Sequence, residues 1–367
     1  MGKENFDATI ESKKDMVIKC CFKHPRKKKF TTIKGFNNNL ANLGYPYVQK
    51  QWLKKDGKIQ LCKNGFHAVN PAWCPLSVFD FYSPCESDFN VSRYFKVEMK
   101  EVEDCDNFKI VTRKIRLVEE LDLEGILEMH AAWLGSKWIL NRPLIQSNYQ
   151  KVTLPSRTIH FGRKMLATTD AYSLIHSQLD SVIAANHHNS IDTGANSSVS
   201  ALNSCLIKMD GDCRLASGST CWIEAGDQCK ITTGGHSKVT AGYNCKVIAG
   251  TKSYVRLKGG FAMTGCEGIS IVGNGSVAIS QSGIVRVGAD SIGIILKLYH
   301  TLNSKPYFYG DMGSLFIYAP KLEEGAVNNP FVFAAKVDGI NILANTWYTV
   351  ENGEFVETKE SFLDDIY

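Results

Sequence analysis

Residues 205–250 read CLIKMDGD, CRLASGST, CWIEAGDQ, CKITTGGH, SKVTAGYN and CKVIAG, in units that begin at Cys205, Cys213, Cys221, Cys229, Ser237 and Cys245. The third residue of every unit is aliphatic, and the frame runs outward in both directions. Ile175, Ile183, Ile191, Val199, Ile207, Leu215, Ile223, Ile231, Val239, Val247, Val255, Met263, Ile271, Ile279, Val287 and Ile295 stand at steps of eight, with no slip visible in the sequence. The fifth position is mostly small (Ala201, Ser217, Ala225, Thr233, Ala241, Ala249), and the sixth is Gly in Gly218, Gly226, Gly234, Gly242 and Gly250.

Positions one, three and five of such a unit alternate onto one face of a short strand, with the bulky side chain in the centre. Gly at the sixth position is expected to supply the turn. One octapeptide cannot bury its inward face, whereas stacked copies bury a continuous column, so residues 165–296 read as a parallel β-solenoid. Two units make a flat 16-residue coil and three a triangular 24-residue coil. Short inward side chains at positions one and five favour 16, and eight such coils would form a rod about 38 Å long. The pattern leaves open the handedness, and whether neighbouring strands come from one chain or from an intertwined homo-oligomer.

The cysteines follow from the same frame. Metal ligands come as close pairs separated by longer loops, while Cys205, Cys213, Cys221, Cys229 and Cys245 are spaced by multiples of eight. Each is expected to pack as a small hydrophobe beside the aliphatic column. On a 16-residue coil Cys213, Cys229 and Cys245 also stack within reach of disulfide geometry, an alternative that a reducing compartment opposes. The chain of 367 residues is 44% hydrophobic and 22% charged, which excludes a mostly disordered polymer. It contains no apolar run long enough for a membrane helix, and its first residues are charged, so the expectation is a soluble intracellular protein without membrane contact.

Outward positions test for a binding face. On the 16-residue coil Arg214, Lys230 and Lys246 form a ladder on one flat side, and Trp222, Lys238 and Tyr254 stack on the other. A ladder of cations suits a phosphate-rich partner, or it is a solvated surface that protects the rod from edge pairing. Residues 173–296 carry nine Lys/Arg against eight Asp/Glu, which favours the second reading.

Residues 1–150 lack the period and read as an α+β domain. The net charge of +5 concentrates in the stretch 13–34, which includes Lys23, Arg26, Lys27, Lys28 and Lys29. Such a cluster contacts nucleic acid or an acidic partner, or else forms a solvated arm. Beyond it lie Lys34-Gly35-Phe36, then Leu61-Cys62-Lys63-Asn64-Gly65-Phe66-His67-Ala68, Asn70-Pro71, Trp73-Cys74-Pro75-Leu76, Phe79-Asp80-Phe81-Tyr82 and Tyr94-Phe95-Lys96-Val97-Glu98. Near the end stand Asp338-Gly339, Asn345-Thr346-Trp347-Tyr348 and Asn352-Gly353-Glu354-Phe355-Val356-Glu357.

These residues resemble a phage and prophage family of unknown function, with a G-F-H-A-type N-terminal domain, short Gly/Ser/Ala-rich repeats and a closing W-Y…N-G-E-F-V-E segment. Val69 stands where that pattern has a second cysteine, and the basic stretch Arg26–Lys29 lies outside it. The resemblance spans the chain end to end. It implies a phage source, a host-cytoplasmic setting and this three-part architecture, and it implies no reaction.

The sequence carries no complete catalytic motif. The order of a Lys-Gly-Phe strand, a His-bearing aromatic strand and a later Glu loosely resembles ADP-ribosyltransferase-like domains. There Glu98 would orient the ribose of a dinucleotide, and His67 with its aromatic neighbours would hold that cofactor. The Ser-Thr-Ser and Glu-x-Glu elements are missing, so His67 as a core or edge residue and Glu98 as a strand-surface carboxylate stand beside that reading. Cys20-Cys21-x-x-His24 has no second close pair, so no metal is expected. No phosphate loop and no G-x-S-x-G is present. His187-His188 falls on a turn of the rod, and residues 117–140 read as an amphipathic helix packing on the domain or capping the rod. Residues 297–367 alternate as a small antiparallel β cap with a hairpin at Asn352-Gly353 and an acidic tail.

The expected function is therefore a phage-encoded interaction or scaffold protein with a protein partner and no cofactor, acting in host takeover or counter-defence. An ADP-ribosyltransferase-like enzyme and a virion fibre or decoration protein are the alternatives.

Overall fold

In a computed structural model, residues 29–42, 45–85, 91–106, 108–137, 144–146, 151–154, 158–163, 166–297, 305–320 and 332–359 are described. The fold is mainly β, with an antiparallel sheet at the N-terminus and a parallel β-solenoid of about eight turns. Ile191 pairs with Ile207 and Ile207 with Ile223 on one flat side. Leu215 pairs with Ile231 and Ile231 with Val247 on the other. Each step is 16 residues, so the coil is the flat form. Parallel pairing already includes Leu144–Gln146 and Lys151–Leu154, and it continues through Tyr307–Gly310 and Leu315–Pro320. The rod thus runs past both ends of the 165–296 repeat.

The aliphatic column from Ile175 to Val255 is buried in the interior, as the frame requires. The five frame cysteines are buried beside it, and every described cysteine is a free thiol. Their thiols donate to the carbonyl two residues earlier, as Cys213 to Gly211 and Cys229 to Asp227.

Two expectations are corrected. The bend falls on the eighth residue of each unit, where Asp180, His188, Asn196, Ser204, Asp212, Thr220, Gln228, His236, Asn244 and Lys252 hold φ of 54° to 61°. Glycine at the sixth position answers to close stacking instead. A Cβ on Gly226 would lie 2.7 Å from the Gly211 nitrogen of the neighbouring coil.

The frame also slips. Val247 pairs with Ala262 and Val255 with Ser270, a step of 15. A second shortening follows a bulge, after which Ser270 pairs with Val285. Gly260 and Gly283 mark the two places, at φ of 128° and 154°, where a Cβ would strike a neighbouring carbonyl oxygen at 2.2 Å. Only glycine fits such corners. After the first slip Ala262 and Ala278 enter the interior, and Met263, Ile271 and Ile279 turn outward. After the second, Val287 and Ile295 are buried again, in the fifth-position column.

At the far end Phe333–Lys336 and Thr346–Glu351 pair antiparallel onto the last coil, and Thr346–Glu351 forms a hairpin with Glu354–Glu357. Asn352 and Gly353 take φ of 51° and 87°, as a two-residue hairpin turn needs. This cap closes the rod's open strand edge.

The N-terminal domain is an antiparallel sheet ordered Phe30–Phe36, Arg93–Cys105, Lys109–Leu121, with Trp52–Lys54 and Phe66–Val69 both on the outer edge of the last. Thr32 Oγ1 donates to the Val69 carbonyl at 2.6 Å, drawing the first strand toward Phe66–Val69 and curling the sheet. Phe36, Phe66, Phe95, Val97, Met99 and Ile115 fill the concave side. Leu117 and Leu121, expected in a helix, belong to the Lys109–Leu121 strand, because the sheet extends as far as the pairing of Leu121 with Tyr94. The helix is Leu123–Lys137. It packs between domain and rod, with Leu123, Ile126 and Leu127 in one core with Leu174, Leu206 and Trp222.

Candidate functional site

The domain sits on the flat side that bears Trp222, Lys238 and Tyr254, and polar contacts fasten it there. Asp80 accepts from His188 Nε2 at 2.9 Å and from Ser204 Oγ at 3.0 Å. Lys208 pairs with Glu124 at 2.7 Å, and His130 Nδ1 meets Ser190 Oγ at 2.8 Å. Burial holds His130 neutral, pushed down to about 3. The rings of Tyr94 and Trp222 lie 5.7 Å apart.

Beside this seam the sheet and the rod diverge around a cleft of about 1320 Å³. The register builds its rod wall. Trp222, Lys238 and Tyr254 form one outward column, and Thr240, Arg256, Ile271, Arg286 and Tyr309 form the next. Lys238 Nζ lies 4.4 Å over the Trp222 ring, and the Arg286 guanidinium lies 4.7 Å over Tyr309. Burial raises the Tyr254 hydroxyl's pKa, and the neighbouring Arg256 charge offsets part of that rise.

The facing wall is acidic. Glu120 takes a two-pronged ion pair from Arg93 at 2.6 and 2.7 Å, Glu119 lies 3.8 Å from Lys96, and Asp122 caps the helix through the Gly125 N–H. Burial raises the Glu224 carboxyl and lowers the Lys238 amine, so both charges are weakened where the walls converge. The cleft offers cations interleaved with aromatic faces on one side and carboxylates on the other. That arrangement presents both signs of charge beside aromatic faces along one cleft.

Other residues singled out by sequence lie elsewhere. His67 is in the Phe66–Val69 strand, where its Nε2 accepts the Cys62 N–H at 2.8 Å. Burial first, then the charges of Lys34 and Lys109, push it down to about 4. Glu98 pairs with Lys29 at 2.5 Å and with Arg116, and those cations hold its carboxyl below the usual range. Neither residue lines the cleft. Lys23, Arg26, Lys27 and Lys28 lie outside the described residues. Arg214, Lys230 and Lys246 do stack in register, exposed, on the flat side away from the domain. No carboxylate pairs with them among the described residues.

Sequence reasoning passed over Arg256 and Arg286, which come into line only through the register slips. It also passed over Asp80, whose partners are 108 and 124 residues away. No group of three or more metal-ligating side chains is present among the described residues.

These features define a class, a parallel β-solenoid protein carrying a small antiparallel β domain seated on one flat face. Residues 30–129 match the family model described as a domain of unknown function, DUF7666. No curated protein and no solved structure matches the chain.

Proposed function

We propose that this chain is a non-enzymatic interaction scaffold that grips an extended segment of a partner protein in the cleft between domain and rod. The carrying observation is the cleft's size together with its walls. Small-molecule sites occupy roughly 300–1,000 Å³, and this cleft of about 1320 Å³ is larger, with cationic and aromatic rungs facing carboxylates. A polypeptide supplies both charge signs and apolar side chains, whereas a nucleic-acid backbone offers no cation to the wall of Glu119, Glu120 and Asp122. On this reading, the resemblance to phage proteins makes an infected host cell the setting to search for the partner, in takeover or counter-defence, and the basic stretch that includes Lys23 and Arg26–Lys29 would add a salt-sensitive contact.

The test is affinity capture from infected cells, with the wild-type chain compared with an Arg256→Glu/Arg286→Glu variant and with Lys230→Glu on the free face. A partner retained by Lys230→Glu, lost by the cleft variant and cross-linked to cleft residues supports the reading. Equal capture by all three chains, or no partner at any salt concentration, overturns it. Transfer of label from a dinucleotide that Glu98→Ala abolishes would favour an ADP-ribosyltransferase-like enzyme, and recovery of the chain from purified virions would favour a fibre or decoration protein.

A further inference from the structure

Away from the cleft, the concave side of the N-terminal sheet holds a lysine that no partner explains. Lys34 is 4% exposed, and its Nζ faces the rings of Phe36 at 5.1 Å, Tyr47 at 5.6 Å and Tyr82 at 5.6 Å. No carboxylate or other hydrogen-bond acceptor meets this amine among the described residues. Buried ammonium groups are normally paired, and rings alone repay only part of the lost hydration.

One further lysine shares this aromatic cluster, and another lies over Phe81, the residue preceding Tyr82. Lys55 lies 4.8 Å over Tyr45, and Lys109 lies 3.8 Å over Phe81. Neither has an ion pair among the described residues. The rings connect without a gap: Phe36 to Tyr47 at 4.8 Å, Tyr47 to Tyr45 at 5.5 Å, Tyr45 to Phe66 at 5.4 Å. After burial, the charges of Lys34, Lys109 and Lys55 all help to lower His67, so the three lysines lie around one part of the domain.

We propose that Lys34, Lys55 and Lys109 form the anion-binding half of a small-ligand site whose aromatic half is Tyr45, Tyr47 and Tyr82, and that its ligand is a small phosphorylated compound. A phosphate group carries the compact double charge that would complement ammonium groups lacking any anionic partner. The rings would pack the body of the molecule to which it is attached. This site is independent of the partner cleft, so either reading can fail without the other.

Isothermal titration of the full chain with inorganic phosphate, pyrophosphate and AMP, at matched ionic strength, tests it. The expected result is saturable one-site binding, weakened about tenfold or more by Lys34→Met and by Lys109→Met, the loss typical of one charge-assisted hydrogen bond. Lys336→Met, exposed in the C-terminal cap, leaves it unchanged. Tighter binding of AMP than of phosphate assigns the rings to the ligand body. Should Lys34→Met fail to fold, the half-buried Lys109 variant decides. Absence of saturable binding for all three probes, or equal affinity in Lys109→Met and wild type, overturns the proposal.

Discussion

Replacing Lys34 by Met should stabilise the protein, and by an amount that depends on pH. Burial first, and then the charge of Lys109, lower the Lys34 amine from its ordinary 10.5 to about 7. A group whose folded value is depressed contributes stability that is fully present above its unfolded value and is lost as pH falls through the folded one. For Lys34 that window runs from about 10.5 down to about 7. The difference of 3.5 units, at 1.36 kcal/mol each, sets an upper bound of about 5 kcal/mol.

Between pH 9.5 and 6.5 the linkage relation removes about 3 kcal/mol of wild-type stability through this one group. The three rings around Nζ attract its charged form and trim the loss by about 1 kcal/mol. Met fills the site without a charge, so its variant lacks this term. Urea unfolding of both chains in phosphate-free buffer should therefore show Lys34→Met the more stable at pH 6.5 by several kcal/mol, with the gap narrowing by about 2–3 kcal/mol at pH 9.5. Groups beyond the reach of Lys34 cancel in the comparison, and His67, which its charge helps to lower to about 4, stays neutral in the folded wild type across this range. A gap that stays constant across the range refutes the reasoning, because a packing effect does not titrate.

Other consequences are open to direct measurement. Gly226→Ala pushes a Cβ against the backbone of the neighbouring coil at 2.7 Å and should lower stability by about 1–3 kcal/mol, whereas Gly275→Ala, with nothing within 4 Å, should cost only the left-handed backbone penalty of about 1–2 kcal/mol; both are read from urea midpoints. A thiol-labelling reagent should modify exposed Cys62 rapidly and Cys205, Cys213, Cys221, Cys229 and Cys245 only on unfolding; fast labelling of those five would mean the rod interior opens. Asp80→Ala leaves His188 and Ser204 without their shared acceptor and should loosen the seam, seen as faster amide exchange around Tyr94 and Trp222 with the rod's own exchange unchanged.

The rod was legible because a repeat states one structural rule many times. Inward Ile207 and Ile223, small Cys221 and the outward Arg214, Lys230 and Lys246 ladder all follow from one period, and stacking at 16 turns them into neighbours. The slips were not legible, since Met263, Ile271 and Ile279 keep the aliphatic spacing in the sequence while Ala262, Ser270 and Ala278 occupy the interior. What decides between those frames is a corner conformation at Gly260, a feature of backbone geometry rather than side-chain pattern.

The helix failed differently. Leucines in Leu117–Lys137 suit either period over a short run, and pairing with Arg93–Cys105 decided for strand as far as Leu121. Within the candidate sites, His67 was visible as a residue, but its attachment to Cys62 and its field from Lys34, Lys55 and Lys109 were not. The cleft joins side chains from Asn38 to Asn345, and no local pattern encodes such a meeting.

The two shortened turns give the rod an arithmetic of parity. Removing one residue from a turn exchanges what faces in with what faces out for every strand downstream, while removing a second restores the original sense one rung further along. Gly260 performs the first operation and Gly283 the second, and between them lies a short inverted segment bounded by normal ones. Single-residue insertions and deletions in such a chain therefore act as sign changes, harmless only when cancelled by a partner a turn or two away. That rule would let lineages of this protein redraw an outer surface wholesale, without altering a single amino acid along the way.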